Sequence, residues 1–172
     1  MKTDTAAGPV VAGASAASFE SFYAATADRV YRALAVTLGD SHLAREATDE
    51  AMARAFVRWR QVAAVENPGG WVFRVGLNWA TSWRRKLRRE RALPQDEHSL
   101  PVVHLAEPDG ADAMAALARL GVAARAVVVC RVLFGLSTVE TARVLHVAEG
   151  TVRSRLSRAM TVLRRELSEE NR

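Results

Sequence analysis

Residues 137–160 read STVETARVLHVAEGTVRSRLSRAM, two helix-forming runs either side of a three-residue gap, the second loaded with arginine. Ser137 and Glu140 have the spacing of a capping box, in which each side chain satisfies a backbone N–H that the first helical turn leaves orphaned. That fixes where the first helix starts. Val139, Ala142, Val144 and Leu145 supply its apolar contacts, residues 146–148 make the turn, and a longer helix from Glu149 to about Arg165 turns Val152, Leu156, Ala159 and Leu163 inward. Helix, tight turn and helix together are the helix-turn-helix plan. The polar side of the second helix carries Thr151, Arg153, Ser154, Arg155, Ser157 and Arg158. Short hydroxyls let a backbone approach DNA closely, and guanidinium groups bind phosphate or clamp the O6 and N7 edge of guanine. A solvated amphipathic face would need the arginines but neither the capping box nor the turn, so their coincidence favours a major-groove reader.

Upstream of this unit, residues 112–120 form an amphipathic run that Gly121 breaks, and AARAVVVCRVLF (123–134) is a second run that Gly135 ends. Cys130 sits inside that apolar run and reads as a small buried hydrophobe. Residues 94–111 mix prolines with carboxylates and hold no Lys or Arg, a composition that supports neither helical nor strand period and reads as a flexible acidic linker. Its charge would suit a cationic channel otherwise used by nucleic acid.

Before the linker, the apolar period starts at Phe19, with Phe22, Tyr23, Val30, Leu34 and Leu38 on one side and Gly39 as the stop. A second run puts Leu43, Ala47, Met52, Ala55, Phe56 and Trp59 on one side and Arg45, Glu46, Asp49, Glu50 and Arg54 largely on the other. A third starts at Asn67, a capping residue, with Pro68 at the first helical position, and places Trp71, Val75, Trp79 and Trp83 four apart. Its end, RRKLRRER (84–91), holds six cations and one anion. Trp71 reads as core, whereas Trp79 and Trp83, close to this basic tip, suit either core packing or stacking on unpaired bases. The expected class is all-α: two small helical domains at 19–93 and 112–172, a flexible leader at 1–18, and the linker between.

Composition narrows the function. The 24 Lys and Arg against 19 Asp and Glu leave a formal charge of +5, which favours a polyanionic partner. One cysteine rules out an intrachain disulfide and agrees with a reducing, cytoplasmic setting. No run approaches a membrane span, and residues 1–18 lack the apolar core of a signal peptide. His42, His98, His104 and His146 are scattered and give no metal-ligand spacing. With neither a phosphate loop nor a nucleophile signature, no enzyme, cofactor or metal is expected.

From Phe19 to Leu167 the chain resembles the extracytoplasmic-function (ECF) sigma factors, compact members of the bacterial sigma-70 family. FESFYAATADRVYRALAVTLGD (19–40) resembles the opening helix of sigma region 2, and EATDEAMARAF (46–56) the helix that docks on the polymerase β′ clamp. ENPGGWVFRVGLNWATSWRRKLRR (66–89) is similar to the promoter-melting part, and GLSTVETARVLHVAEGTVRSRLSRAMTVLRREL (135–167) to region 4. The resemblance implies a sigma factor that binds core RNA polymerase at the β′ clamp and β flap and directs it to promoter DNA.

By the same resemblance, region 2 would read and melt the −10 element, with the loop from about Gln61 to Asn67 receiving an extruded base. Asn67, Asn78, Ser82, Trp83, Arg84, Arg85 and Arg88 would lie on that DNA. Region 4 would hold the −35 element, with Ser154, Ser157 and Arg158 nearest base edges and Arg153 and Arg155 on phosphates, Thr151 beside them. Glu46, Asp49, Glu50 and Arg54 would contact the clamp. An anti-sigma factor is an implied partner; a homo-oligomer or membrane insertion is not. His146 stands where the family usually has glycine, and histidine tolerates a positive φ better than most side chains. Ala148 replaces a serine cap and Ser82 a common acid, departures that bear on promoter sequence. The alternative is a stand-alone helix-turn-helix regulator whose residues 19–91 sense or dimerise.

Overall fold

Alanine-rich segments with few helix breakers fold as helices throughout the computed structural model, which describes residues 10–90 and 111–169. In chain order the helices are α1 (Val10–Leu38), α2 (Ser41–Val57), α3 (Trp59–Val62), α4 (Pro68–Glu90), α5 (Ala111–Ala118), α6 (Val122–Val132), α7 (Thr138–Leu145) and α8 (Glu149–Glu169). The described chain is all-α, as its periodicity predicts. α1 begins at Val10, well before the first periodic aromatic, because VVAGASAAS is rich in the best helix former. The expected leader is therefore helical from residue 10, while residues 1–9 and nearly all of the expected acidic linker lie outside the described residues.

Gly39, at φ 66°, ends α1, and the Asp40 side chain accepts from the Leu43 N–H at 2.9 Å to start α2. α2 then packs on α1 and α4 through Leu43, Ala44, Ala47, Ala51, Met52 and Ala55. Thr37 and Thr48 are buried too, and each hydroxyl donates back to the carbonyl four residues earlier at 2.7 Å, so neither is left unpaired. So many small side chains bring the axes close. At Gly76 of α4 a Cβ would lie 2.8 Å from Leu34 Cδ1 and 3.0 Å from the Ala47 carbonyl oxygen, so only glycine fits this crossing without displacing backbone.

That crossing corrects the face expected for α4. The fully covered stripe is Val72, Phe73, Gly76 and Ala80, whereas Trp71, Val75 and Trp79 are half-buried on its flank and Trp83 is exposed. Large apolar residues dominate a pattern, but a tight crossing selects small ones. Tyr23, Phe56 and Val139, expected inside, are likewise exposed, although Phe56 still meets the edge of Phe19 with ring centroids 5.1 Å apart.

In the downstream half, α6 and α7 pack on α8 around Val127, Ala142 and Val152, and α5 closes a second patch with Leu120, Val128 and Ala159. Arg125 to Cys130 of α6 are all buried because this stretch also lies on α1. Ala126, Val129, Cys130 and Leu136 belong to the cluster that holds Val30, Leu34, Val72 and Phe73. Phe134 meets Phe73 with centroids 5.4 Å apart, and the Arg29 guanidinium lies over the Phe134 ring at 5.2 Å. The two halves thus share a seam. Cys130 is inert there, its thiol pushed up to about 12 by burial. Arg125 is 4% exposed, its Nε has no hydrogen-bond partner, and burial followed by the nearby Arg84 cation pulls its pKa below the usual value.

Candidate nucleic-acid interface

The helix-turn-helix starts where its sequence says. Ser137 N–H donates to Glu140 Oε2 at 2.6 Å, and Glu140 N–H donates to Ser137 Oγ at 3.2 Å. Hydrogen bonds to the Glu140 carboxyl from the Ser137 side chain and then the Ser137 backbone N–H, with smaller help from Arg143 and Arg131, hold it below the usual carboxylate range. A carboxyl lowered in the folded state adds stability at pH values above its unfolded pKa and loses it as pH falls through the lower folded value. Loss of the capping hydroxyl in Ser137→Ala should cost about 1 kcal/mol, and the variant's stability profile, read as urea midpoints against pH, should be flatter on the acid side. An unchanged profile would show that the box does not set the start of α7.

α7 ends at His146, whose φ of 52° is the left-handed conformation that a tight turn needs. α8 then buries Val152 and Ala159 and half-buries Leu156 and Leu163, which leaves its opposite side to solvent. Arg153 leans on Glu149 at 3.4 Å, and Ser154 Oγ donates to the Thr151 carbonyl at 3.1 Å. Arg155, Ser157 and Arg158 continue that side, and among the described residues neither of these two arginines has an ion-pair partner. The outer face of α8 is thus a row of hydroxyls and guanidinium groups held on a packed helix, with Arg153 paired to Glu149 and Arg158 without an ion-pair partner among the described residues. Such a face fits phosphates and base edges.

The upstream residues divide into separate groups. Asn67 Oδ1 accepts from the Gly70 N–H at 2.7 Å, so its side chain caps α4. Arg84 donates to the Leu38 carbonyl at 3.1 Å and to Asp40 at 3.4 Å, which ties the end of α1 to α4. Asn78, Ser82 and Arg85 are exposed along one line of α4, with Arg88 exposed nearby. Trp83 lies more than a third of a turn round the helix from that line. It stacks on Trp79, centroids 5.8 Å apart and planes 5° from parallel, in a groove shared with Glu46, Asp49 and Glu50 of α2. Structure therefore joins Trp83 to the residues expected to face polymerase. Arg54 pairs with Glu50 at 2.7 Å beside them.

The seam reaches the loop before α4. A cleft of about 190 Å³ is lined on one side by Val65, Glu66, Asn67, Trp71 and Arg74 and on the other by Glu140, Arg143, Val144 and His146. Arg143 bridges to Glu66 at 2.8 Å, the His146 ring meets the Arg74 guanidinium, and Val144 lies so near Gly70 that a Cβ there would come within 2.9 Å of it. Sequence reasoning did not single out Glu66, Arg74, Arg125 or Arg143; each acts across the seam, and no local pattern marks a long-range partner. Among the described residues no group of three or more His, Cys, Asp or Glu is arranged to hold a metal ion, and no described helix is long and apolar enough to cross a membrane.

Residues 111–163 match the family model "Sigma-70, region 4". The chain is similar to the RNA polymerase sigma-E factor of Streptomyces coelicolor, 31% identical over 151 residues that cover 87% of this chain and 85% of that one. It is 36% identical over 152 residues to the ECF RNA polymerase sigma factor SigE of Mycolicibacterium smegmatis, covering 80% of this chain and 57% of that longer relative. In structure it is similar to the sigma factor RpoE of Bartonella quintana, solved with the anti-sigma factor NepR, with a TM-score of 0.74 at 20% identity over 88% of this chain and 97% of that one.

Proposed function

The chain belongs to the extracytoplasmic-function group of the sigma-70 family, RNA polymerase sigma factors that direct promoter recognition and are not enzymes, and from that premise we propose how its faces divide the work. α8 reads the −35 element as duplex, with Ser154, Ser157 and Arg158 toward base edges and Thr151, Arg153 and Arg155 toward the backbone. Asn78, Ser82, Arg85 and Arg88 follow the −10 DNA, and the loop ending at Asn67 receives the extruded base. Glu46, Asp49, Glu50 and Arg54 dock on the β′ clamp, region 4 meets the β flap, and the acidic linker runs between, all in the cytoplasm. The observation that carries this reading is the hydroxyl and arginine face of α8, where Arg155 and Arg158 have no ion-pair partner among the described residues, opposite an inner face packed through Val152 and Ala159. Matches to sigma factors run through both halves, which disfavours a stand-alone regulator with an unrelated sensor.

The reading also requires movement. Elements centred about 25 base pairs apart are separated by roughly 85 Å along the duplex, at about 3.4 Å per pair. α1, at 29 residues, spans only about 43 Å at 1.5 Å per residue. The two readers therefore engage one promoter only after the seam parts. An anti-sigma factor like the one bound to the Bartonella protein would act by holding the chain away from that open form.

Reconstituted transcription tests the proposal. Core polymerase with this protein should initiate at a promoter that core alone ignores, and no gain across a promoter library would overturn it. Arg158→Ala should weaken binding to the preferred −35 duplex by about 1–3 kcal/mol and relax one base position. A loss uniform over all sequences would move Arg158 to a phosphate role.

A further inference from the structure

Resting on the reading that Glu46, Asp49 and Glu50 face polymerase, the geometry points to a further determinant on that surface: Trp79 and Trp83 form the wall of a groove that accepts an arginine from a polymerase helix. They are not a platform for an unpaired base.

The groove lies between α2 and α4. α2 lines it with Glu46, Asp49 and Glu50, and Ala53, one turn further on, is short enough to leave it open. α4 lines it with the two indoles, stacked nearly parallel, and Trp83 remains 40% exposed. An exposed stacked pair leaves considerable apolar surface in water, a cost that covering would relieve. What covers it is selected by charge. A stacked base brings its phosphates with it, and here they would approach three carboxylates. A cation meets attraction from both walls.

Existing contacts in the groove sharpen the choice. The Lys86 ammonium already lies 5.9 Å from the centroid of Trp83, so this ring accepts a cation. On the facing wall, Glu46 is only 3.8 Å from His42 and Glu50 is bonded to Arg54, whereas Asp49 is exposed and has no ion-pair partner among the described residues. A planar guanidinium can stack on an indole while its edge donates to a carboxylate, which a compact, strongly hydrated ammonium does less well. The carboxylates at positions 46, 49 and 50 and the indoles at 79 and 83 run along their helices, so a partner helix lying in the groove can present the arginine between them.

The test uses the full-length chain and purified core polymerase, with Trp83→Ala, Trp83→Phe and Asp49→Asn, helicity checked by circular dichroism. Trp83→Ala and Asp49→Asn should each weaken core binding about tenfold, and Trp83→Phe should retain most of it. The effects of Trp83→Ala and Asp49→Asn should not add, since both remove one contact. At saturating core, Trp83→Ala should open promoter DNA as well as the wild type does. Wild-type affinity for core combined with an opening defect that a pre-melted promoter rescues would assign the pair to base stacking and overturn the inference. Wild-type behaviour in both assays would reduce the pair to local packing and overturn it equally. If the wild-type chain binds no core at all, the polymerase reading falls and takes this inference with it, an outcome distinct from a silent Trp83 substitution in a competent protein.

Discussion

Phe73→Ala should lower the unfolding free energy by about 3–5 kcal/mol, the range for emptying a site of this size in a packed interior. Phe73 is fully buried, and its neighbours cannot close the gap because α4 already touches α1 and α2 at Gly76. Since domains are stable by only about 5–15 kcal/mol, this change removes a large share of the total. Its reach should be wider than one half of the molecule. Phe73 meets Phe134 across the seam, and residues of α6 share its cluster. Urea midpoints should fall, and amide exchange should quicken at Val127–Cys130 as well as in α1 and α2. A loss below about 1 kcal/mol, or protection lost only upstream of the linker, would show that the seam contributes little to stability.

Val152→Asp should be as damaging but local. Val152 is fully buried and packs with Val127 and Ala142, so the new carboxylate would enter an apolar cluster. An uncompensated buried charge costs about 3–5 kcal/mol, and burial raises the carboxyl pKa. A carboxyl raised in the folded state destabilises most at pH values above its unfolded pKa, so the variant should be less impaired near pH 4 than near pH 8. α8 would detach from α6 and α7, and specific −35 duplex binding should fall by two orders of magnitude or more, while the helices of α1–α4 keep their signal. Retained duplex affinity in this variant would mean that a packed α8 is not needed for DNA binding. It would remove the main support for the proposed function.

The helix-turn-helix was legible because its determinants are local. Ser137 and Glu140 lie within one turn, and His146 takes the left-handed conformation right where α7 ends. Gly39, Asn67 and Pro68 likewise marked helix ends through backbone chemistry that neighbours do not alter. What misled were large side chains. Three indoles and Val75, spaced four apart, outweighed Gly76 and Ala80, yet it is the absence of bulk there that lets the helices cross. Arg84 illustrates the same limit in the candidate site. Its sequence neighbourhood is a basic run, but its guanidinium closes a contact with Leu38 and Asp40, residues that only the fold brings near. The seam was hidden for a further reason: an unbroken apolar run such as AVVVC has no period, and so does not disclose that it is covered from two sides.

Arg125 gives the seam its character. A buried guanidinium with one nitrogen unanswered and a second cation near it is a flaw in the joint, which elsewhere pairs its charges, as Arg143 does with Glu66. If the two readers engage one promoter only after the seam parts, as proposed, cohesion of the resting molecule and its readiness to engage a promoter are one quantity with opposite signs, because apparent affinity scales with the fraction of molecules already apart. A flawless joint would make a sturdier protein and a slower responder.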